Sequence, residues 1–131
     1  MRTAMKKGVL VSLVLATIIA SSCKEEQLTQ EQEAAQLEAL YIDIETMVSS
    51  VSCDDPSEWT FSAIGSKACG GPTGFVAYSS KMDTELFLQK VNEYTKAQKQ
   101  FNERWEIFSD CSVPLAPAAV YCKNGVAIFS Y

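Results

Sequence analysis

Apolar residues return every three or four positions from Leu37 to Val51, at Leu37, Leu40, Tyr41, Ile44, Met47, Val48 and Val51. That spacing marks one face of an α-helix. The other face is rich in Glu and Gln. Thr29 and Gln32 form the T-x-x-Q signature of a capping box, so the helix is expected over Thr29 to Ser49. Its stripe runs under three heptads, which favours packing within its own domain over a coiled coil. Asp54-Asp55-Pro56-Ser57 breaks the pattern. Glu58 to Ile64 then alternates as a strand, with Trp59, Phe61 and Ala63 on one face. A glycine-rich connection, G-S-K-A-C-G-G-P-T-G over residues 65–74, leads to a second strand at Phe75 to Ser79.

Asp83 is a good N-cap and Glu85 suits the first turn of the helix that follows. Phe87, Val91, Tyr94, Gln98, Phe101, Trp105 and Phe108 recur at helical spacing. They predict a helix of about 24 residues, roughly 36 Å long. A loop from Ser109 to Ala118 carries Pro114 and Pro117. The chain closes on A-V-Y-C-K-N-G-V-A-I-F-S-Y, where Asn124-Gly125 takes the positive φ angles of a type I′ hairpin turn. The order α-β-β-α-β-β implies an α+β fold. Its expected form is a four-stranded, mostly antiparallel sheet covered by two amphipathic helices.

The first 22 residues follow a different pattern. Arg2, Lys6 and Lys7 precede a 13-residue apolar run, Gly8 to Ala20, and small residues follow it. The run is too short to span a bilayer, which takes about 20 apolar residues, and its flanks are those of a cleaved export signal. Ala20-Ser21-Ser22-Cys23 resembles the lipobox of bacterial lipoproteins, with Ala20 where Leu is usual. The resemblance implies that residues 1–22 are a signal peptide and that Cys23 carries the acyl chains. It also implies that residues 23–28 tether a single domain, 29–131, to the membrane. Two or more acyl chains hold stably where one does not. Lys24-Glu25-Glu26 resembles a tag that sends some Gram-negative lipoproteins to the outer face of the outer membrane. The expected location is therefore the bacterial envelope, at the outer membrane, on its surface or its periplasmic face.

Charge narrows the partners. The net charge is −5 over 131 residues, and it becomes −8 without Arg2, Lys6 and Lys7. An acidic domain of this kind lacks the footprint of a nucleic-acid binder. The expected partners are the membrane, through Cys23, and a protein or envelope ligand.

Cys53, Cys69, Cys111 and Cys122 remain after Cys23. An even number in an exported chain implies two disulfides. A seven-residue strand separates Cys53 from Cys69 by roughly 23 Å, beyond disulfide reach. Strand and helix directions favour Cys69–Cys111 with Cys53–Cys122. Long loops leave Cys53–Cys69 with Cys111–Cys122 as the alternative.

Catalytic chemistry has few carriers. The chain has no histidine, which excludes Ser-His-Asp and Cys-His catalysis and His-based metal sites. No C-x-x-C pair, P-loop or EF-hand spacing occurs. The expectation is a non-catalytic binding domain without a cofactor or metal, for example an inhibitor of a secreted hydrolase. Its candidate contact loop is Lys67, Gly70, Gly71, Pro72 and Thr73, stiffened by proline and by a disulfide at Cys69. The alternatives are an accessory subunit docking through the first helix and an enzyme using Asp54, Asp55 and Glu58. A ligand pocket formed by Trp59, Phe61, Trp105 and Phe108 is the weaker reading of those aromatics, against core packing.

Overall fold

The computed structural model describes residues 27–131. The segment expected to be a signal peptide, its lipobox-like end and Cys23 lie outside the described residues. The element order is α1 (Gln30–Ser49), β1 (Trp59–Ile64), β2 (Gly74–Ser79), α2 (Thr84–Arg104), β3 (Ala119–Lys123) and β4 (Val126–Ser130). A short 3-10 turn, Pro56–Glu58, precedes β1. Among the described residues the class is α+β, with two helices, antiparallel strands and two disulfides.

Both helices begin where side chains satisfy their first amides. At α1 the Gln32 amide donates to Thr29 Oγ1 at 3.3 Å, and the Thr29 amide donates to Gln32 Oε1 at 2.9 Å. At α2 the Leu86 amide donates to Asp83 Oδ1 at 3.0 Å. The helices run antiparallel: Asp43 meets Lys90, Tyr41 meets Tyr94, and Glu33 meets Arg104. α2 stops at Arg104, earlier than its apolar repeat suggests. Glu106 takes a positive φ of 49°, which ends the helical path. Phe108 is consequently not on the helix stripe and is 96% exposed.

The expected four-stranded sheet is not formed. β1 pairs with β2 and β3 pairs with β4, giving two separate two-stranded sheets. The reason is that the first hairpin buries both of its faces. One face carries Ile64, Val76 and Tyr78 into a core with Ile44, Phe87 and Val91 from the helices. The other carries Trp59 and Ala77 against Val120, Cys122, Ala127 and Phe129 of the second hairpin. Phe61 meets Phe129 edge-on, with centroids 6.0 Å apart. The second hairpin thus covers a face of the first instead of extending its edge. Ala63, expected to share the buried face of Trp59 and Phe61, is exposed at the end of the strand, while Ile64 is buried.

The disulfides are Cys53–Cys122 and Cys69–Cys111, the pairing favoured by strand direction. Cys53–Cys122 ties the second hairpin to the segment ahead of β1, where the Cys53 amide also donates to Gly125 O at 2.8 Å. Asn124 and Gly125 have φ of 53° and 77°, the left-handed pair that a type I′ turn needs. No helix among the described residues is long and apolar enough to cross a membrane.

Candidate functional site

The loop expected to make contact is held from inside. Lys67 is mostly buried, and its ammonium donates to Asp110 Oδ1 at 2.8 Å, Ser112 O at 2.6 Å and Ser112 Oγ at 3.0 Å. These bonds and Cys69–Cys111 join residues 67–69 to the segment 109–112. The bond from Lys67 and its positive charge hold the Asp110 carboxyl below its ordinary range, with Ser112 adding a hydrogen bond. Gly70 and Gly71 have φ of 94° and 81°, a region that glycine enters without steric cost. Thr73 turns back on the strand, its amide and hydroxyl both donating to Ile64 O at 3.0 Å. The loop is therefore braced as expected, but its cation is committed to neighbours within the chain. Pro72 is half-buried beside it.

The three acids proposed as an alternative catalytic set serve the turn. Asp55 caps the 3-10 helix by accepting from the Ser57 amide at 2.9 Å, which lowers its pKa. Asp54 accepts from Ser52 Oγ at 3.0 Å, and Glu58 pairs with Lys81 at 2.6 Å. Among the described residues no group of three or more His, Cys, Asp or Glu side chains is placed to hold a metal ion. The aromatics do not converge either. Trp59 and Phe61 pack on the second hairpin, Trp105 donates from its indole to Glu33 Oε2 at 2.7 Å, and Phe108 points into solvent.

The most ligand-like feature lies elsewhere. An open groove of about 780 Å³ runs between the C-terminal half of α1 and β4, within the size range of ligand sites. Tyr41, Val48 and Val51 form one side, Ala127 and Phe129 the other, and Phe75 to Ala77 of β2 the floor. Glu45 is the charged residue of the lining, and Ser52 and Asn124 close one end. Burial raises the Tyr41 pKa, with Glu45 and Glu38 adding to the effect, so its hydroxyl stays neutral.

The floor of this groove is a free strand edge. The Ser80 amide donates to Glu58 O at 2.8 Å, so Glu58 and Ser80 are a hydrogen-bonded pair. Bonded and non-bonded pairs alternate along an antiparallel ladder. Tyr78 and Val76 therefore bond to β1, while the backbone groups of Phe75 and Ala77 point outward. Among the described residues no other strand pairs with that edge. Trp59 also lines the groove, and its buried indole N–H has no acceptor. An unmatched buried donor costs roughly 1–3 kcal/mol, and such a group calls for an explanation.

No family model, curated protein or solved structure matches this chain. The groove was not expected from the sequence. Its walls come from residues far apart in the chain, and the available signal was the edge position of Phe75 to Ser79, legible once the strand pairing is known.

Proposed function

We propose that this protein is a lipid-anchored envelope protein whose domain binds a partner without catalysis, and that the β2 groove is the binding site. The observation that carries this reading is the unpaired outer edge of β2 lying along the floor of an apolar groove. Such an edge is a template for another strand. An extended peptide segment adds to it through main-chain hydrogen bonds, and side-chain pockets on alternate residues give selectivity. Here the outward groups of Phe75 and Ala77 supply the main-chain bonds. Tyr41, Val48, Ala127 and Phe129 supply apolar walls. The lipobox resemblance of Ala20 to Cys23 supports the anchor, and the resemblance of Lys24-Glu25-Glu26 to an export tag supports the outer-membrane location. Inhibition of a secreted hydrolase is one form of this activity, with an extended segment of the hydrolase as the bound strand.

The test is capture of envelope proteins by the full lipidated chain, compared with Ala77→Pro. Proline removes the outward N–H and is tolerated on strand edges. It leaves the bonds to β1 at Val76 and Tyr78 in place. Ala77 also packs on the second hairpin, so the proline ring lowers the melting temperature. Loss of captured partner by protein that keeps a native circular-dichroism spectrum supports the groove. Undiminished capture by Ala77→Pro counts against it.

A further inference from the structure

The end of the domain that carries the first described residue is also its most apolar exposed end. Glu33, in the first turns of α1, binds Arg104 and Trp105 at the end of α2. The turn after β1 reaches the same end, where the Ser66 amide donates to Gln98 Oε1 at 2.7 Å and Asn102 donates to Ser66 O at 2.7 Å. Cys69–Cys111 and the Lys67 ammonium then brace the segment 109–112 there. On this braced segment and its flanks Phe108 is 96% exposed, Val113 86% and Leu115 71%. Three large apolar side chains stand in solvent within eight positions. A single exposed Leu is ordinary; a cluster of this kind marks an interaction surface.

The chain outside the described residues says what covers it. Gln27 begins the described chain, just ahead of the Thr29 cap of α1. Cys23 is four residues earlier, and four residues reach at most about 14 Å even when fully extended. An acylated Cys23 therefore keeps this end of the domain close to the bilayer surface. We propose that Phe108, Val113 and Leu115 enter the boundary between headgroups and acyl chains and form a second membrane contact beside the lipid anchor. This inference rests on the reading of Cys23 as acylated. The contact fixes the orientation of the domain. α1 is 20 residues long, about 30 Å, so the rim of the β2 groove at Ser52 and Asn124 faces away from the membrane. The cations of this end are matched by acids, Lys67 by Asp110, Lys99 by Glu103 and Arg104 by Glu33, and Glu31 and Glu106 leave it slightly negative. The contact is therefore apolar in origin, needs no anionic lipid and is insensitive to salt.

The test uses the full lipidated protein in phosphatidylcholine vesicles whose acyl chains carry bromine near the headgroup. Phe108→Trp and Leu115→Trp place a reporter on the segment, and Tyr121→Trp, on β3, places one on the outer face of the second hairpin. All three sites are exposed in the native fold. The expected result, read against the wild-type background of Trp59 and Trp105, is blue-shifted, bromine-quenched emission from residues 108 and 115 and unquenched emission from residue 121. The effect persists at high salt. Mass spectrometry of the same sample reports the acyl chains on Cys23. Acylated protein with unquenched reporters at 108 and 115 overturns the second contact and leaves the anchor standing. Protein without acyl chains overturns both. A blue shift that needs an envelope protein extract and is absent with vesicles overturns the bilayer as the occupant and assigns the segment to a protein partner.

Discussion

Removing the two disulfides separately is expected to destabilise the domain unequally. The bridges close loops with sequence separations of 69 residues for Cys53–Cys122 and 42 for Cys69–Cys111. The loop-entropy relation gives about 4.4 and about 3.9 kcal/mol, a gap of only about 0.5 kcal/mol. Packing widens it. Cys53 is 2% exposed and belongs to the core with Trp59 and Ala77. Cys69 and Cys111 are exposed. Truncating a buried side chain adds the loss of contacts and a cavity, about 1–2 kcal/mol for a small group. The variant Cys53→Ala/Cys122→Ala should therefore be about 2 kcal/mol less stable than Cys69→Ala/Cys111→Ala. Urea unfolding followed by fluorescence of the buried Trp59 measures both. Total stability for domains of this size is about 5–15 kcal/mol, so the first variant is near its threshold at room temperature. A difference of only about 0.5 kcal/mol at equal slopes would show that loop closure alone sets the effect. A lower midpoint for Cys69→Ala/Cys111→Ala would refute the placement of the core at Cys53.

Two further outcomes follow from the same packing and charge. Phe87 of α2 is fully buried in the core with Ile44 and Ile64 and stacks on Tyr78 with centroids 5.0 Å apart, so Phe87→Ala should cost about 3–5 kcal/mol in chemical denaturation. Asp110 has a lowered pKa, chiefly through its bond from Lys67, against an ordinary value of 3.8. Its contribution is complete above pH 3.8 and is lost as the pH falls through the lower folded-state value. The wild type should therefore lose stability more steeply than Asp110→Asn in that acid range, read as melting temperature against pH.

Local signals in this chain were legible because their causes are local. The Thr29–Gln32 capping box forms both of its bonds, and Asn124-Gly125 forms its left-handed turn. The apolar stripe of α1 is the face that packs, with Ile44 fully buried. Strand and helix directions favoured the disulfide pairing that forms, though the long loops left a second pairing open. Periodicity could not show where α2 ends, because the three-residue spacing from Trp105 to Phe108 continues past the backbone reversal at Glu106. It could not show how the hairpins associate. Alternation places Phe61 on a face, but the contact with Phe129 that draws the second hairpin over that face joins residues 68 positions apart. The β2 groove exists only as a consequence of that choice, since a four-stranded sheet could have covered the edge. The Lys67 latch likewise depends on the return of residues 110–112 to the loop.

The central claim is that the outer edge of β2 receives the partner. Amide hydrogen exchange of the full chain, with and without a native envelope extract, tests it most directly. The Phe75 and Ala77 amides point away from β1 and should exchange fast in the free protein. Slowed exchange at those two amides in the presence of the extract is the predicted result. Slowing confined to Cys69–Thr73 or to the exposed face of α1, or no slowing anywhere, would contradict it.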